Sequence, residues 1–306
     1  MKNMDTFELF AKVDTINETT YDTNTMSVLD KDNVRHTLRI HEDVILEMNQ
    51  VYLFTLEAIT FKEREQYMVH EYTKLDDVKL SLNERQELMT GFYDYAPVSS
   101  EETKEIIDQY LTKLDNKIIS DIVMDIYAKH EKAFYLYPAA TKFHHAYIGG
   151  LSYHTSTMMK LIDGFMTVYP FLNQDLLIAG VFLHDICKVK ELSNYAGPEY
   201  TKEGKMIGHI NMGVKEIALS AQKLDYLDTE EELMLEHIVL SHHYYGNFGS
   251  PKKPMLPEAL ILHFIDNIDS KMTVLEEALG QISEGEFTSS IAVVDRERFY
   301  KPNFKK

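Results

Sequence analysis

The hydrophobic pattern of this 306-residue chain changes period once, near residue 96, and that change constrains the fold more than any other feature. The first glycine is Gly91 and the first proline Pro97. Ahead of them, "FELFAKVDTI" (7–16), "TNTMSVLD" (23–30), "VRHTLRIHE" (34–42), "QVYLFTLEAITF" (50–61) and "EQYMVHEYTKL" (65–75) are short, rich in β-branched and aromatic residues, and separated by polar turns. That spacing predicts a small five-stranded β-barrel over residues 1–92. The lack of glycine counts against it, since small barrels place glycines at bulges and corners. Beyond "DYAPVSSEETKE" (94–105) the apolar residues recur at helical spacing, beginning with Ile106, Ile107, Tyr110, Leu111, Leu114 and Ile118. Residues 93–128 read as a linker and helical lead-in, and 129–306 as an all-α domain with a C-terminal tail. Helices are expected at 147–168, 174–192, 207–223, 229–242 and 257–280. Thr229 with Glu232 forms a capping-box pattern, and Pro257 suits a first helical turn.

Composition removes several function classes. Apolar runs are broken by charge well before the roughly 20 residues that a membrane span requires. The N-terminus "MKNMDTFELF" has acidic residues where a signal peptide would have its apolar core. The one cysteine, Cys187, excludes an internal disulfide and fits a reducing, cytoplasmic location. A formal net charge of −18 sets a field that repels RNA and DNA, so any nucleic-acid role requires local basic groups or bound cations.

Within the second region, "AGVFLHDICKVKEL" (179–192) reads as a helix for a protein interior, yet His184 and Asp185 interrupt it side by side. Burying an imidazole beside a carboxylate is costly unless both find a partner. Ten of the thirteen histidines lie between residues 130 and 263. His154, His184 with Asp185, His209, His242 with His243, and Asp266 each interrupt an apolar helix. Any one of them alone would be an ordinary core or surface residue. Together, one ligand group from each of five successive helices is how a helical bundle builds a metal site, and imidazole with carboxylate suits first-row divalent ions.

The order H…HD…H…HH…D is the signature of the HD superfamily of metal-dependent phosphohydrolases. The stretches "FHHAYIGGLSYHT" (143–155), "LHDICKV" (183–189), "EGKMIGHI" (203–210), "LSHHYYGNFGSPKKP" (240–254), "EALILHFIDNIDSKM" (258–272) and "GEFTSSIAVVDRERFYKPNF" (285–304) resemble YhaM-type 3′→5′ exoribonucleases. The resemblance covers residues 135–304; over 1–90 it is one of pattern only. It implies an oligonucleotide-binding (OB-like) barrel ahead of an HD domain, and self-association into a homo-oligomer. It also implies one metal on His154, His184, Asp185 and Asp266, and a second sharing Asp185 with His209 and His242. His243 would be a further ligand or a phosphate contact. Manganese is the expected ion, with iron or magnesium the alternatives. Two such ions clamp an in-line displacement at phosphorus, so that water hydrolyses a phosphodiester without a protein nucleophile.

Neighbours on a helix point about 100° apart, so His184 and Asp185 can share a cluster only if their helix meets it edge-on. Asp185 and Lys188 are the expected catalytic residues, Lys188 reaching a non-bridging phosphate oxygen from one turn beyond His184. Asp269 is placed to orient a ligand or substrate group. His144 and His145, ahead of Gly149 and Gly150, are candidates for gripping substrate, as are Lys252 and Lys253 after the histidine pair. Each of these also has an ordinary structural reading. In the barrel, Phe54, Phe61, Tyr67 and Tyr72 could stack bases while Arg35, Arg39, Lys62 and Arg64 touch phosphates, against ten basic and nineteen acidic side chains in 1–96, a net of −9. The expected activity is removal of nucleoside 5′-monophosphates from the 3′ end of single-stranded RNA, with single-stranded DNA as a second substrate. Two rivals stand beside it. One is an HD hydrolase of small nucleotides or cyclic dinucleotides, although "GYP" does not follow the HD pair where the latter enzymes carry it. The other is a nucleic-acid-binding regulator whose HD core is not catalytic.

Overall fold

The computed structural model describes residues 6–19, 22–61, 64–141 and 145–304. His144 and Lys62 lie outside them, as do the side chains of Phe61 and Arg64. The chain divides into two compact units, up to Tyr95 and from Ala96 onward.

In the first unit, strands β1 (Thr6–Asn17), β2 (Thr23–Asp30), β3 (Arg35–His41), β4 (Val51–Phe61) and β5 (Arg64–Lys74) close into a barrel in the order β1-β2-β3-β5-β4. All pairings are antiparallel except the short parallel contact of Leu38 with Tyr67 and Arg39 with Met68, which closes the ring. Alternation along each strand sends Val13, Met26, Val28, Leu38, Ile40, Phe54 and Leu56 inward, where all are fully buried. The lack of glycine proves no obstacle. Register shifts fall at Val13/Thr15 and Thr55/Leu56, and the left-handed positions are taken by Asn33 and Asn49, whose short polar side chains tolerate them.

Two expected base- or phosphate-contacting residues are buried. Phe54 belongs to the core, and the Arg39 guanidinium is buried against Thr23 and Gln66. Arg35 is exposed and paired with Asp14. Tyr67 and Tyr72 remain on the surface, Tyr67 edge-on to exposed Phe7 at 5.2 Å. Helix α1 (Leu82–Thr90) follows, opened by a Ser81–Glu84 capping box. The barrel unit runs beyond 92 because the next residues are stitched to it: Lys12 Nζ donates to the Phe92 carbonyl (3.0 Å) and Tyr93 to that of Asn49 (2.6 Å).

The second unit holds α2 (Ser100–Leu111), α3 (Lys117–Phe134), α4 (Gly150–Val168), α5 (Gln174–Leu183), α6 (Lys188–Glu191), α7 (Lys202–Met206), α8 (Gly208–Lys223), α9 (Glu230–Ser241) and α10 (Pro257–Gly280). Residues 96–128 are part of it and not a linker, since α2 packs on α4, and α3 on α5, α8 and α9. The chain breaks between α2 and α3 because Asn116 caps α3, its side chain accepting from the amides of Ile118 and Ile119. Central α5 is apolar on every side, buried from Leu176 to Leu183, and packed by α3, α4, α9 and α10.

The expected continuous helix over 174–192 is corrected. Helix α5 ends at Leu183, and the amides of Ile186 and Lys188 reach only three residues back, to Leu183 and Asp185. This tightened turn, which begins just after His184 with its helical φ −54° and ψ −40°, carries the chain into α6. At α9, Thr229 accepts from the Glu232 amide, while Glu232 bonds the amide of Asp228 and not that of Thr229, so the cap is one-sided.

Candidate metal centre

His184 and His242 are the C-caps of α5 and α9. The last carbonyls of a helix lack intrahelical partners, and each of these rings supplies one. Nδ1 of His184 donates to Val181 O (2.8 Å), and Nδ1 of His242 to Val239 O (2.7 Å). Nδ1 of His243 likewise donates to Phe248 O (2.6 Å). A carbonyl can only accept, so the proton sits on Nδ1 and a neutral ring carries its lone pair on Nε2. The negative ends of two helix dipoles also point the same way, which favours a cation.

The other two imidazoles are held by carboxylates. Glu191 accepts from the backbone amide of His209 through Oε1 (3.0 Å) and holds its Nδ1 with Oε2 (3.0 Å). Asp269 Oδ2 holds Nδ1 of His154 at 2.7 Å and Nε2 of His145 at 2.8 Å. All five rings therefore turn Nε2 the same way, by the outer hydrogen bonds that ordinarily orient metal-binding histidines.

Asp185 stands where those nitrogens converge. Its Oδ1 lies 3.2 Å from Nε2 of His209 and 4.0 Å from Nε2 of His242. Its Oδ2 lies 3.3 Å from Nε2 of His184, 4.0 Å from Nε2 of His154 and 2.6 Å from Lys188 Nζ. Ligand atoms thus gather in two groups, His154–His184–Asp185 and Asp185–His209–His242–His243, with the carboxylate common to both. Asp266 borders the first, its Oδ1 3.5 Å from Nε2 of His154 and accepting from Ser270 Oγ. His145–His154–Asp269 is a third close group, but hydrogen bonds already join its atoms, so it serves as a support.

The test of whether a cation fits is the state of the inward atoms. Nε2 of His184, His209 and His242 and Oδ1 of Asp185 are buried and without a hydrogen-bond partner among the described residues. Each such orphan costs about 1–3 kcal/mol, and three imidazole nitrogens facing a carboxylate oxygen are a divalent-cation donor set. The residues fit a metal.

The electrostatics agree. Burial raises the Asp185 carboxyl, but Lys188, His184 and His209 outweigh it and hold the pKa well below the usual range. Burial and the neighbouring His243 and His184 rings keep His242 far below its ordinary value and therefore neutral, as a ligand must be. His154 goes the other way: burial lowers it, but Asp266 and Asp269 outweigh burial and bring it to about 10. A cation beside these carboxylates would take the place of that proton.

Several sites expected from the sequence lie elsewhere. His145 is buried against Asp269 and Tyr147, so it positions Asp269 and does not grip substrate. The Gly149–Gly150 pair lets the chain pass that residue's own backbone, for a Cβ on Gly150 would stand 2.0 Å from His145 O. Lys252 and Lys253 are exposed and do not line the cleft, Lys253 lying over the Tyr244 ring at 5.2 Å. Lys188 does line it, paired with Asp185. The cleft encloses about 390 Å³ beside Asp185, His209, His243 and Asp266. Glu191, Ser270, Tyr200 and Phe248 are cleft residues that sequence reasoning missed. For Glu191 a signal existed: a buried acid one turn past Lys188 on an apolar segment needs a partner.

Residues 151–271 match the HD domain family. The chain is 42% identical over 243 residues to the 3′-5′ exoribonuclease YhaM of Bacillus subtilis (strain 168), a match covering 78% of this chain and 77% of that one. A solved structure of a replication protein A heterotrimer bound to ssDNA matches 28% of this chain and 66% of its own at 14% identity, with a TM-score of 0.22, too low to carry weight. No described helix is long and apolar enough to cross a membrane. With the HD match spanning His154 to Asp269 and the relative covering most of both chains, this chain belongs to the YhaM family of 3′-5′ exoribonucleases.

Proposed function

We propose that the protein is a divalent-metal-dependent 3′→5′ exoribonuclease acting on single-stranded RNA, with single-stranded DNA as a second substrate, in the cytoplasm. The observation that carries the metal dependence is Asp185, one carboxylate with an oxygen toward each of two groups of imidazole nitrogens, those of His184, His209 and His242 being without a partner among the described residues. The reading takes two cations. His154, His184, Asp185 and Asp266 would hold one, and Asp185, His209 and His242 the other, with His243 a further ligand or phosphate contact. Manganese suits the mixed donor set, and iron or magnesium are the alternatives. When bound, such ions supply electrophilic stabilisation of the charge that develops on the phosphate and help activate the attacking water.

The chain's own residues do the rest. Glu191, Asp269 and the carbonyls of Val181 and Val239 fix the imidazoles before substrate arrives, so little reorganisation remains to be done. Lys188 lines the cleft, where its ammonium can neutralise a non-bridging phosphate oxygen. Water attacks the phosphorus of the terminal nucleotide and the P–O3′ bond breaks. The water oxygen stays on the released 5′-monophosphate, and a proton ends on the 3′-oxygen of the shortened strand. In the barrel, Phe7, Tyr67 and Tyr72 are the exposed rings available to an incoming strand.

The test is incubation of a 5′-labelled single-stranded RNA with the full chain and Mn²⁺. A ladder shortening from the 3′ end, with mononucleotide products, is the expected result. An intact RNA would overturn the reading.

A further inference from the structure

The cleft beside the metal centre carries the charged side chains of Asp185, Lys188, Glu191 and Asp266, and two aromatic rings also stand at it, Tyr200 at 47% exposure and Phe248 at 63%. Two exposed rings lining one cleft give it an apolar contact surface beside its charged groups. We propose that Tyr200 and Phe248 hold the base of the strand's 3′-terminal nucleotide by stacking, and so set which end of which strand enters. This inference rests on the exoribonuclease reading.

Both rings are carried on backbone tied to the centre. Phe248 ends a 3₁₀ turn, Gly246–Phe248, whose last carbonyl accepts from Nδ1 of His243. The following Gly249 has φ +103°, a left-handed turn that redirects the chain after the ring is presented. Tyr200 bridges back to Leu192, and the Thr201 amide donates to the carbonyl of Glu191 (2.9 Å), whose side chain grips His209. A base held by these rings is thereby in register with a phosphate at Lys188.

The chemistry of the cleft calls for such a contact. Among the described residues lining it, Lys188 is the only lysine or arginine. In a chain of net charge −18, phosphate attraction alone is a poor source of affinity. Stacking is indifferent to base identity, because every base has a π-face, so degradation through mixed sequence is accommodated. A volume of about 390 Å³ is at the small end of ligand cavities and takes one nucleotide at a time. A terminal base stacked and paired within a duplex does not offer its faces to two rings, which gives a single-strand requirement.

The test is a cycle between protein and substrate on the full chain. Single-stranded RNA of ten nucleotides, ending 3′ either in a normal nucleotide or in an abasic one, is turned over with Mn²⁺ by wild type, Tyr200→Ala, Phe248→Ala and the double variant. Removing either the rings or the base is expected to raise KM by about 10- to 100-fold. Removing both adds little more. Tyr200→Phe keeps the wild-type KM. Independently of turnover, an RNA carrying 3′-terminal 2-aminopurine is expected to lose fluorescence on binding to wild type in EDTA, and to keep it with the double variant. Unchanged KM in the double variant, additive penalties, or equal quenching by both proteins would overturn the proposal. If wild type leaves the normal RNA intact, it is the exoribonuclease reading that fails.

Discussion

In the barrel the buried guanidinium of Arg39 is hydrogen bonded to Thr23 and Gln66. In the helical unit His184, Asp185 and His242 are as deeply buried, yet each has an inward atom without a partner among the described residues. The barrel uses its buried guanidinium to tie neighbouring strands together. The helical unit keeps a set of lone pairs aimed at one point, at a cost of about 1–3 kcal/mol each. Its outer atoms are satisfied with care: carbonyls for His184, His242 and His243, carboxylates for His154 and His209. A fold that satisfies one nitrogen of His184, His209 and His242 and leaves the other open is built around something it binds.

The strongest attack on that contrast is Asp185→Ala. It removes the oxygen pair common to both groups and is expected to abolish turnover and bound metal together while helix content, by circular dichroism, stays near wild type. A variant that kept its activity would contradict the bridging role. Phe54→Ala tests the other side. It opens a cavity in the barrel and is expected to cost about 3–5 kcal/mol of that unit's stability in denaturant unfolding. Metal content should be unchanged, and a coupled loss would show that the units are not independent in this respect.

Asp269→Asn sharpens the point about outer bonds. The amide oxygen can still accept from one ring, but the negative charge behind His154 is gone. A loss of about 10- to 100-fold in metal affinity or kcat is expected, read by metal titration, and no change would reduce Asp269 to packing. The smallest effect concerns Glu216, buried on α8 between Lys129 and Lys190. Burial raises its pKa, but the two lysines outweigh that and bring it down to about 2, from 4.5. A lowered carboxylate stabilises the fold above its unfolded pKa, and the contribution fades as pH falls from about 4.5 toward 2. Glu216→Gln should therefore lower stability by on the order of 1–2 kcal/mol near pH 6, since both lysines are partly exposed. The gap to wild type should close toward pH 2, and a gap that widened there would reverse the assigned sign.

Much of the frame is legible in the residues. Period-2 alternation marks all five strands, and Pro257 with the apolar spacing that follows marks α10 over its full span. The ligand candidates stand out because each is a polar residue interrupting an apolar run of sequence. What the pattern hides is whatever depends on the chain returning to itself. The turn at His184 is invisible because Ile186, Val189 and Leu192 continue the apolar spacing on which a helix is inferred. His145 reads as a loop residue until α10 brings Asp269 beside it. Tyr200 and Phe248 look like loop aromatics because their shared cleft is formed by segments 48 positions apart. In the barrel, Phe54 faces inward by strand parity, while Arg39, on the face opposite Leu38 and Ile40, is covered through Thr23 and Gln66, and residue type alone reveals neither.

The central claim is that the open atoms around Asp185 are cation ligands. Anomalous diffraction at the manganese edge, from crystals of the full chain grown with Mn²⁺, tests it most directly. The account predicts two peaks flanking Asp185, one within bonding distance of Nε2 of His154 and His184 and the other of Nε2 of His209 and His242. Peaks only elsewhere, or none, would contradict it.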